Sequence, residues 1–214
     1  MAVPAVPAPD CALCPRLLAF RAKNRAAHGD WHNAPVPSFG SPDAQLLIVG
    51  LAPGLKGANR TGRPFTGDYA GDLLYATLKK FGLARGEYGQ TRDDGFELVD
   101  CRITNAVRCV PPENKPTPAE IATCRPFLVE EIAAMPKLDT ILALGAVAHQ
   151  TVLATLGGRQ AAYPFKHGAV HALQKLRLAD SYHCSRYNTN TGRLTTEMFH
   201  AVFNAVRATL QRAP

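Results

Sequence analysis

A carboxylate closing a basic, glycine-rich loop is the first feature of this chain that could do chemistry. The segment from Leu46 to Asp68 reads LLIVGLAPGLKGANRTGRPFTGD. Its apolar opening, Leu46-Leu47-Ile48-Val49, is too short for a helix and suits a strand buried on both faces. Gly50, Gly54, Gly57, Gly62 and Gly67 then punctuate a loop that carries Lys56, Arg60, Arg63, Phe65 and finally Asp68. Glycine lets backbone approach a ligand closely, and loops leaving the carboxyl ends of parallel strands are where open α/β sheets place their sites. The combination points to an anionic ligand with chemistry performed on it. A triphosphate-cradling loop is excluded, because GxxxxGK[ST] is absent.

Cysteines form a second constellation. Cys11 and Cys14 make a CxxC pair, while Cys109 and Cys124 bracket the proline-rich run PPENKPTP. Four thiolates suit either a structural zinc or an iron–sulfur cluster, and the spacing does not choose between them. Either would staple the N-terminal segment to the loop at 109–124, a structural role. Cys101, in a predicted strand, and Cys184, beside His183, read as packing residues. Six cysteines in 214 residues, with no secretory signal, argue for a cytosolic protein with metal-bound or reactive thiols. A net charge of +7 favours an anionic partner such as nucleic acid. No run of about 18 apolar residues is present, so no membrane span is expected.

The elements that must position these residues follow from periodicity. Residues 1–9 (MAVPAVPAP) read as a flexible tail ahead of one domain over 10–214. A basic helix is expected from Arg16 to Arg25, a loop over 28–43 and a strand over 45–50. Leu73, Leu74, Leu78 and Phe81 predict a helix over 71–82 closed by Gly82. A strand over 101–107 should deliver Asn105 and Cys109 to a loop. A helix starting near Thr117 meets Pro126, which either kinks or restarts it. A strand at 139–144 with its helix at 145–156, a loop over 157–170 and a strand over 175–182 bring the chain to His183. A polar loop, 184–194, leads to a closing helix over 195–212 with Phe199, Val202, Phe203, Val206 and Leu210 on one stripe. Strands alternating with helices predict a parallel sheet covered on both faces.

Four segments in register now carry a resemblance. GLAPG at 50–54, GANRTGRPFTGD at 57–68, TNAVRC at 104–109 with PPENKPT after it, and HCSRYNTNTGRLT at 183–195 resemble the uracil-DNA glycosylases. The best match is the family-five, or type B, branch, and it spans the chain from the CxxC to the last helix. Family-four enzymes carry a glutamate where this chain has Leu51. The resemblance implies an α/β fold, a three-layer α/β/α sandwich with a central four-stranded parallel sheet. It also implies a 4Fe-4S cluster on Cys11, Cys14, Cys109 and Cys124, and a monomer acting on single- or double-stranded DNA that contains deaminated bases. In one departure, Cys184 stands where the family has proline after its histidine.

Breaking an N-glycosidic bond builds positive charge on the sugar and negative charge on the departing base, so the site needs groups matched to each. Residue spacing leaves Asp68 and Asp72 nearly tied, and Asp68 also suits a helix N-cap. The match to FTGD selects Asp68, which would orient and deprotonate water or stabilise the sugar cation. The resemblance makes His183 the group that stabilises the base at its O2. It makes Phe65 the stacking ring and Asn105 the reader of the base edge, with Gly50, Ala52 and Gly54 supplying backbone and room. Leu51 is consistent with a permissive pocket that takes uracil together with hypoxanthine, xanthine or similar bases. Arg60, Arg63, Arg186 and Arg193 are candidates to grip phosphates. Arg186 and Tyr187 fall where related enzymes insert a wedge into the vacated stack, and Lys56 is a phosphate contact or solvent-exposed. The rival reading is a non-catalytic iron–sulfur protein that binds nucleic acid on the same fold. The presence of both Asp68 and His183 favours the enzyme.

Overall fold

The computed structural model describes residues 6–210; residues 1–5 of the expected tail and 211–212 of the expected last helix lie outside that range. In chain order the first elements are α1 (Pro15–Ala27), β1 (Leu46–Gly50), α2 (Ala58–Thr61), α3 (Tyr69–Lys80), β2 (Ala84–Arg85), β3 (Glu97–Leu98) and β4 (Cys101–Asn105). After a 3₁₀ turn at Pro112–Asn114 come α4 (Pro118–Ala133), β5 (Thr140–Leu144), α5 (Ala146–Thr155), β6 (Val170–Leu173), β7 (Leu176–Ser181), α6 (Arg186–Asn190) and α7 (Thr196–Leu210).

The main sheet has the order β4-β1-β5-β7-β6. Its first four strands are mutually parallel, as expected, and β6 adds an antiparallel fifth at the edge. That strand falls where the periodicity predicted only loop and the entry to β7. Its hairpin turns at Gln174–Lys175, with Gln174 at φ 57°, without the Asn-Gly or Gly-X pair that marks such turns in a sequence. The small β2–β3 ladder was also unmarked, being two residues a side.

Strand burial explains the layering. Every residue of β1, β4 and β5 is buried. In β1, Leu46 and Ile48 pack into one core with Leu74 and Leu78 of α3 and Phe199 and Phe203 of α7. Leu47 and Val49 point the other way, into a second core with Leu128 of α4 and Val152 of α5. Side chains alternate across a strand, so a run of consecutive apolar residues is what two covered faces require. Each buried Leu, Ile or Val contributes about 1.5–3 kcal/mol to that arrangement.

At the β4 edge the second face is ionic. Glu131 of α4 is fully buried and accepts hydrogen bonds from Arg102 Nε (2.5 Å), Arg108 (2.6 Å) and Ser38 Oγ (2.6 Å). One carboxylate thus ties α4, β4 and the 28–43 segment together, with two buried guanidiniums depending on it. α4 itself opens with a capping box, Thr117 and Glu120 bonding each other's backbone. It then runs through Pro126 without a break, so of the two alternatives the restart is excluded.

Candidate active site

Parallel strands put all their carboxyl ends at one edge, and the loops that follow Gly50, Asn105 and Ser181 gather there. The first two start side by side. Gly50 and Asn105 are register partners, and the N–H groups of Ala106 and Val107 donate to the carbonyls of Gly50 (2.9 Å) and Leu51 (3.0 Å). Between these loops and the His183 loop lies a cavity of about 620 Å³. Its walls include Ala52, Gly54, Phe65, Asp68, Asn105 and His183. Residues from three distant parts of the sequence therefore meet around one space large enough for a small ligand.

Gly50 shows how tightly the floor is built. A Cβ there would lie 2.4 Å from Asn105 Oδ1 and 2.6 Å from Phe65 Cζ. Only glycine allows the amide and the ring to close over the end of β1. Phe65 is itself held at φ 53°, a left-handed conformation rare for an aromatic residue, and its ring centroid lies 5.9 Å from that of His183. Such strain concentrates where surrounding structure fixes a side chain for a purpose.

Asp68 both caps a helix and lines the cavity. It is the N-cap of α3, where Oδ1 accepts from the Gly71 N–H at 3.2 Å. Oδ2 faces Gly57, where a Cβ would come within 2.4 Å of it. Burial raises the carboxyl above its ordinary pKa, opposed by backbone N–H groups of Gly71 and Ala70. Asp72 is exposed, accepts from Gln90 Nε2 at 2.9 Å and does not line the cavity. The geometry thus separates two acids that spacing left tied.

His183 follows β7, and its carbonyl accepts from Asn188 Nδ2 at 2.8 Å. Burial of the imidazole lowers its pKa to about 4, so the ring is neutral near pH 7 and presents one N–H. The expected polar loop after it contains the short helix α6, N-capped by Ser185. Cys184 is fully buried in the α3–α7 core with its Sγ 3.5 Å from the Ala70 carbonyl, a packing residue as expected.

The cations divide. Lys56 and Arg186 line the cavity, the Arg186 guanidinium lying 5.4 Å from the centre of the Tyr69 ring. Tyr187 is 72% exposed, free to meet a ligand. Arg60 is exposed and lies against Gly67 on the cavity wall; Arg193 is exposed over the Tyr182 ring. Arg63 must be corrected. It is buried, pairs with Asp94 through two hydrogen bonds (2.8 and 2.7 Å) and lies over the rings of Phe39, Tyr75 and Tyr88. A guanidinium enclosed this way cannot reach a phosphate, so Arg63 is structural. Sequence reasoning also passed over Tyr69 and Asn114 in the cavity wall. The one available signal was an aromatic residue directly after the loop carboxylate.

Cys11, Cys14, Cys109 and Cys124 line a separate small cavity with Leu17 and Val107. Arg21 of α1 is buried and donates to the carbonyls of Pro9 (2.8 Å) and Cys11 (2.5 Å), which fixes the CxxC segment. Arg16 grips Glu120 with two bonds of 2.7 Å and so ties α1 to α4, the helix bearing Cys124. Burial raises the thiols of Cys14 and Cys124 and pushes Cys109 up to about 12.

This fold and this site define a class: an α/β/α sandwich with a carboxylate, an imidazole, an amide and an aromatic ring around one cleft at the strand ends. Residues 37–207 match the family model described as the uracil DNA glycosylase superfamily. The chain belongs to that superfamily. Within it, the chain is 48% identical over 195 residues to a type-5 uracil-DNA glycosylase of Thermus thermophilus, covering 88% of this chain and 89% of the relative. It is 42% identical over 203 residues to the type-5 enzyme of Pyrobaculum aerophilum, covering 93% and 88%. Similarity to a type-4 enzyme of Archaeoglobus fulgidus is lower, 36% over 118 residues, covering 55% of this chain and 51% of the relative.

Proposed function

We propose that this protein removes uracil from DNA by hydrolysing its N-glycosidic bond, leaving an abasic site, with hypoxanthine and xanthine as further substrates. One observation carries the reading: Asp68 and His183, far apart in sequence, line the same cavity with Phe65 and Asn105. A base must leave the duplex to reach such a cavity, at a cost of a few kcal/mol. Stacking on Phe65 offsets that by about 1–3 kcal/mol. The Asn105 amide, which donates and accepts, pairs with the edge of the base. Neutral His183 donates its N–H to the base oxygen as negative charge gathers there, a fixed dipole in a dry site. Ionised Asp68 orients the attacking water and faces the cationic sugar. Arg186 and Lys56 hold flanking phosphates. The non-catalytic alternative has no account of why the acid and the imidazole share a cavity.

Cys11, Cys14, Cys109 and Cys124 would hold a 4Fe-4S cluster. The four cysteines border one small cavity, and beyond the effect of burial the charges of Cys124, Cys11 and Cys14 each push the Cys109 thiol further up. A closed group of four soft donors that repel one another as thiolates fits an iron–sulfur cluster. Bound, it would take up the charge of the thiolates and staple the N-terminal segment to α4. None of the bond-breaking groups contacts it.

The test is incubation with oligonucleotides carrying uracil, hypoxanthine, xanthine or thymine, single-stranded and duplex, followed by alkali to cut abasic sites. Cutting at uracil is the expected outcome; intact strands from folded protein would refute the reading. Chemical analysis should find iron and sulfide in about equal amounts, and stoichiometric zinc without iron would overturn the cluster assignment.

A further inference from the structure

The cleft does not stop at the space assigned to the base. Leu51 and Asn114 form a sill shared with a second cavity of about 460 Å³, bounded by the Pro-rich turn and by α4 and α5. The lining has two characters. Leu51, Ile121, Val147 and Ala154 make an apolar shelf, with Val147 38% exposed to solvent. Lys115, Arg125, Gln150 and Gln160 surround it with cations and amides; no lining residue is a carboxylate, though Lys115 lies 3.4 Å from that of exposed Glu113 beside the groove. An apolar surface edged by amides and cations is what a nucleotide requires: a face for the ring, amides for its edge and positive charge for its phosphate.

One further observation concerns the turn that forms the sill. Glu113 (φ 55°, ψ 20°) and Asn114 (φ 57°) are consecutive non-glycine residues in left-handed conformations at the sill. Asparagine tolerates that conformation better than glutamate, so the turn stores strain where it sets Asn114 between the two cavities.

We propose that this second cavity takes the nucleotide next to the extruded one on the same DNA strand, held unpaired. Its base lies on the Val147–Ile121 shelf, its edge meets Gln150 and Asn114, and its phosphate faces Arg125 and Lys115. The inference rests on the function proposed above. Covalent continuity selects this occupant over the complementary strand, because the groove opens from the cavity that holds the extruded nucleotide and shares its wall. A neighbour still paired in the duplex cannot enter a concave groove. The enzyme therefore gains affinity from single-stranded or locally melted DNA.

The test uses single-stranded oligonucleotides with one uracil, in which the adjoining base on the 5′ or the 3′ side is replaced by a tetrahydrofuran spacer. For the wild-type protein, a spacer on one side only should raise KM about tenfold with kcat unchanged. The Gln150→Ala/Arg125→Met variant, checked for folding by thermal melting, should lose about tenfold in kcat/KM on the intact strand. It should then show no further loss with that spacer, while its loss persists with the spacer on the other side. Equal KM for wild type on all three strands would overturn the proposal without needing any variant. Losses that multiply for spacers on both sides, or groove effects confined to duplex substrates, would overturn it too. In each case uracil release from the intact strand stands as an independent check on the parent reading.

Discussion

A single methyl group at Gly50 tests the geometry of the site most directly. In Gly50→Ala the new Cβ would sit 2.4 Å from Asn105 Oδ1 and 2.6 Å from Phe65 Cζ, against ordinary contacts that begin at 3.4 Å. Something must move by about 1 Å. The β1 backbone is pinned by parallel ladders on both sides, so the side chains yield. Phe65 and Asn105 are then pushed into the cavity where the base would sit. A displacement of about 1 Å at a positioning group costs on the order of 10²-fold in rate. Overpacking of this kind costs about 1–3 kcal/mol in stability. Single-turnover excision from a uracil oligonucleotide, beside urea unfolding of the same preparation, measures both. A variant within twofold of wild type in rate, with unchanged stability, would show that Phe65 and Asn105 do not wall the base.

Other predictions follow from the same structure. Asp68→Asn should lower excision by about 10²–10⁴-fold with DNA affinity changed only a fewfold; asparagine caps α3 as well as aspartate, so melting should not change. Excision should fall as pH drops through the pKa of Asp68, which burial raises above its ordinary value, and pH–rate profiles locate that inflection. His183 acts on stability: with its folded pKa lowered to about 4, stability is fully present above its unfolded value of 6.5 and is lost as pH falls towards 4. Partial exposure to the cleft reduces the worth of that shift to about 1–2 kcal/mol, and His183→Gln should flatten urea-derived stability across this window. Asp68 has the opposite sign, since a raised carboxyl pKa favours the folded state as pH falls. Glu131→Gln should destabilise by about 3–5 kcal/mol, because it leaves Arg102 and Arg108 buried without their counter-charge. The melting temperature should drop by about 6–20 °C, and a drop under about 2 °C would contradict the reading. Arg186→Gln should reduce the salt slope of DNA binding by about one unit, whereas Arg63→Gln should leave the slope unchanged and lower stability.

The alternation of buried runs and helical stripes made the layered α/β architecture legible in the chain. A run such as Leu46–Val49 has no other stable use than a strand with both faces covered. The order of the four motifs, and so the family, was legible for the same reason: local residue types and spacings carry it. What periodicity could not show was the antiparallel β6, whose hairpin turn is Gln-Lys, or α6, five residues inside a polar segment. Short elements like these are stabilised by neighbours and not by their own pattern.

The site divides in the same way. Asp68, Asn105, Phe65 and His183 were identifiable as residue types in a pattern, but their meeting in one cavity is a product of parallel strands ending at one edge. Arg63 shows the limit most plainly. Its place in a basic glycine-rich loop marked it as a phosphate ligand, and only the approach of Asp94, from a distant excursion of the chain, turned it inward. Sequence specifies which groups are available and how each segment prefers to fold. Which charge is matched by a partner, and which is left to meet a ligand, depends on long-range packing, because electrostatic partners are chosen by distance in space.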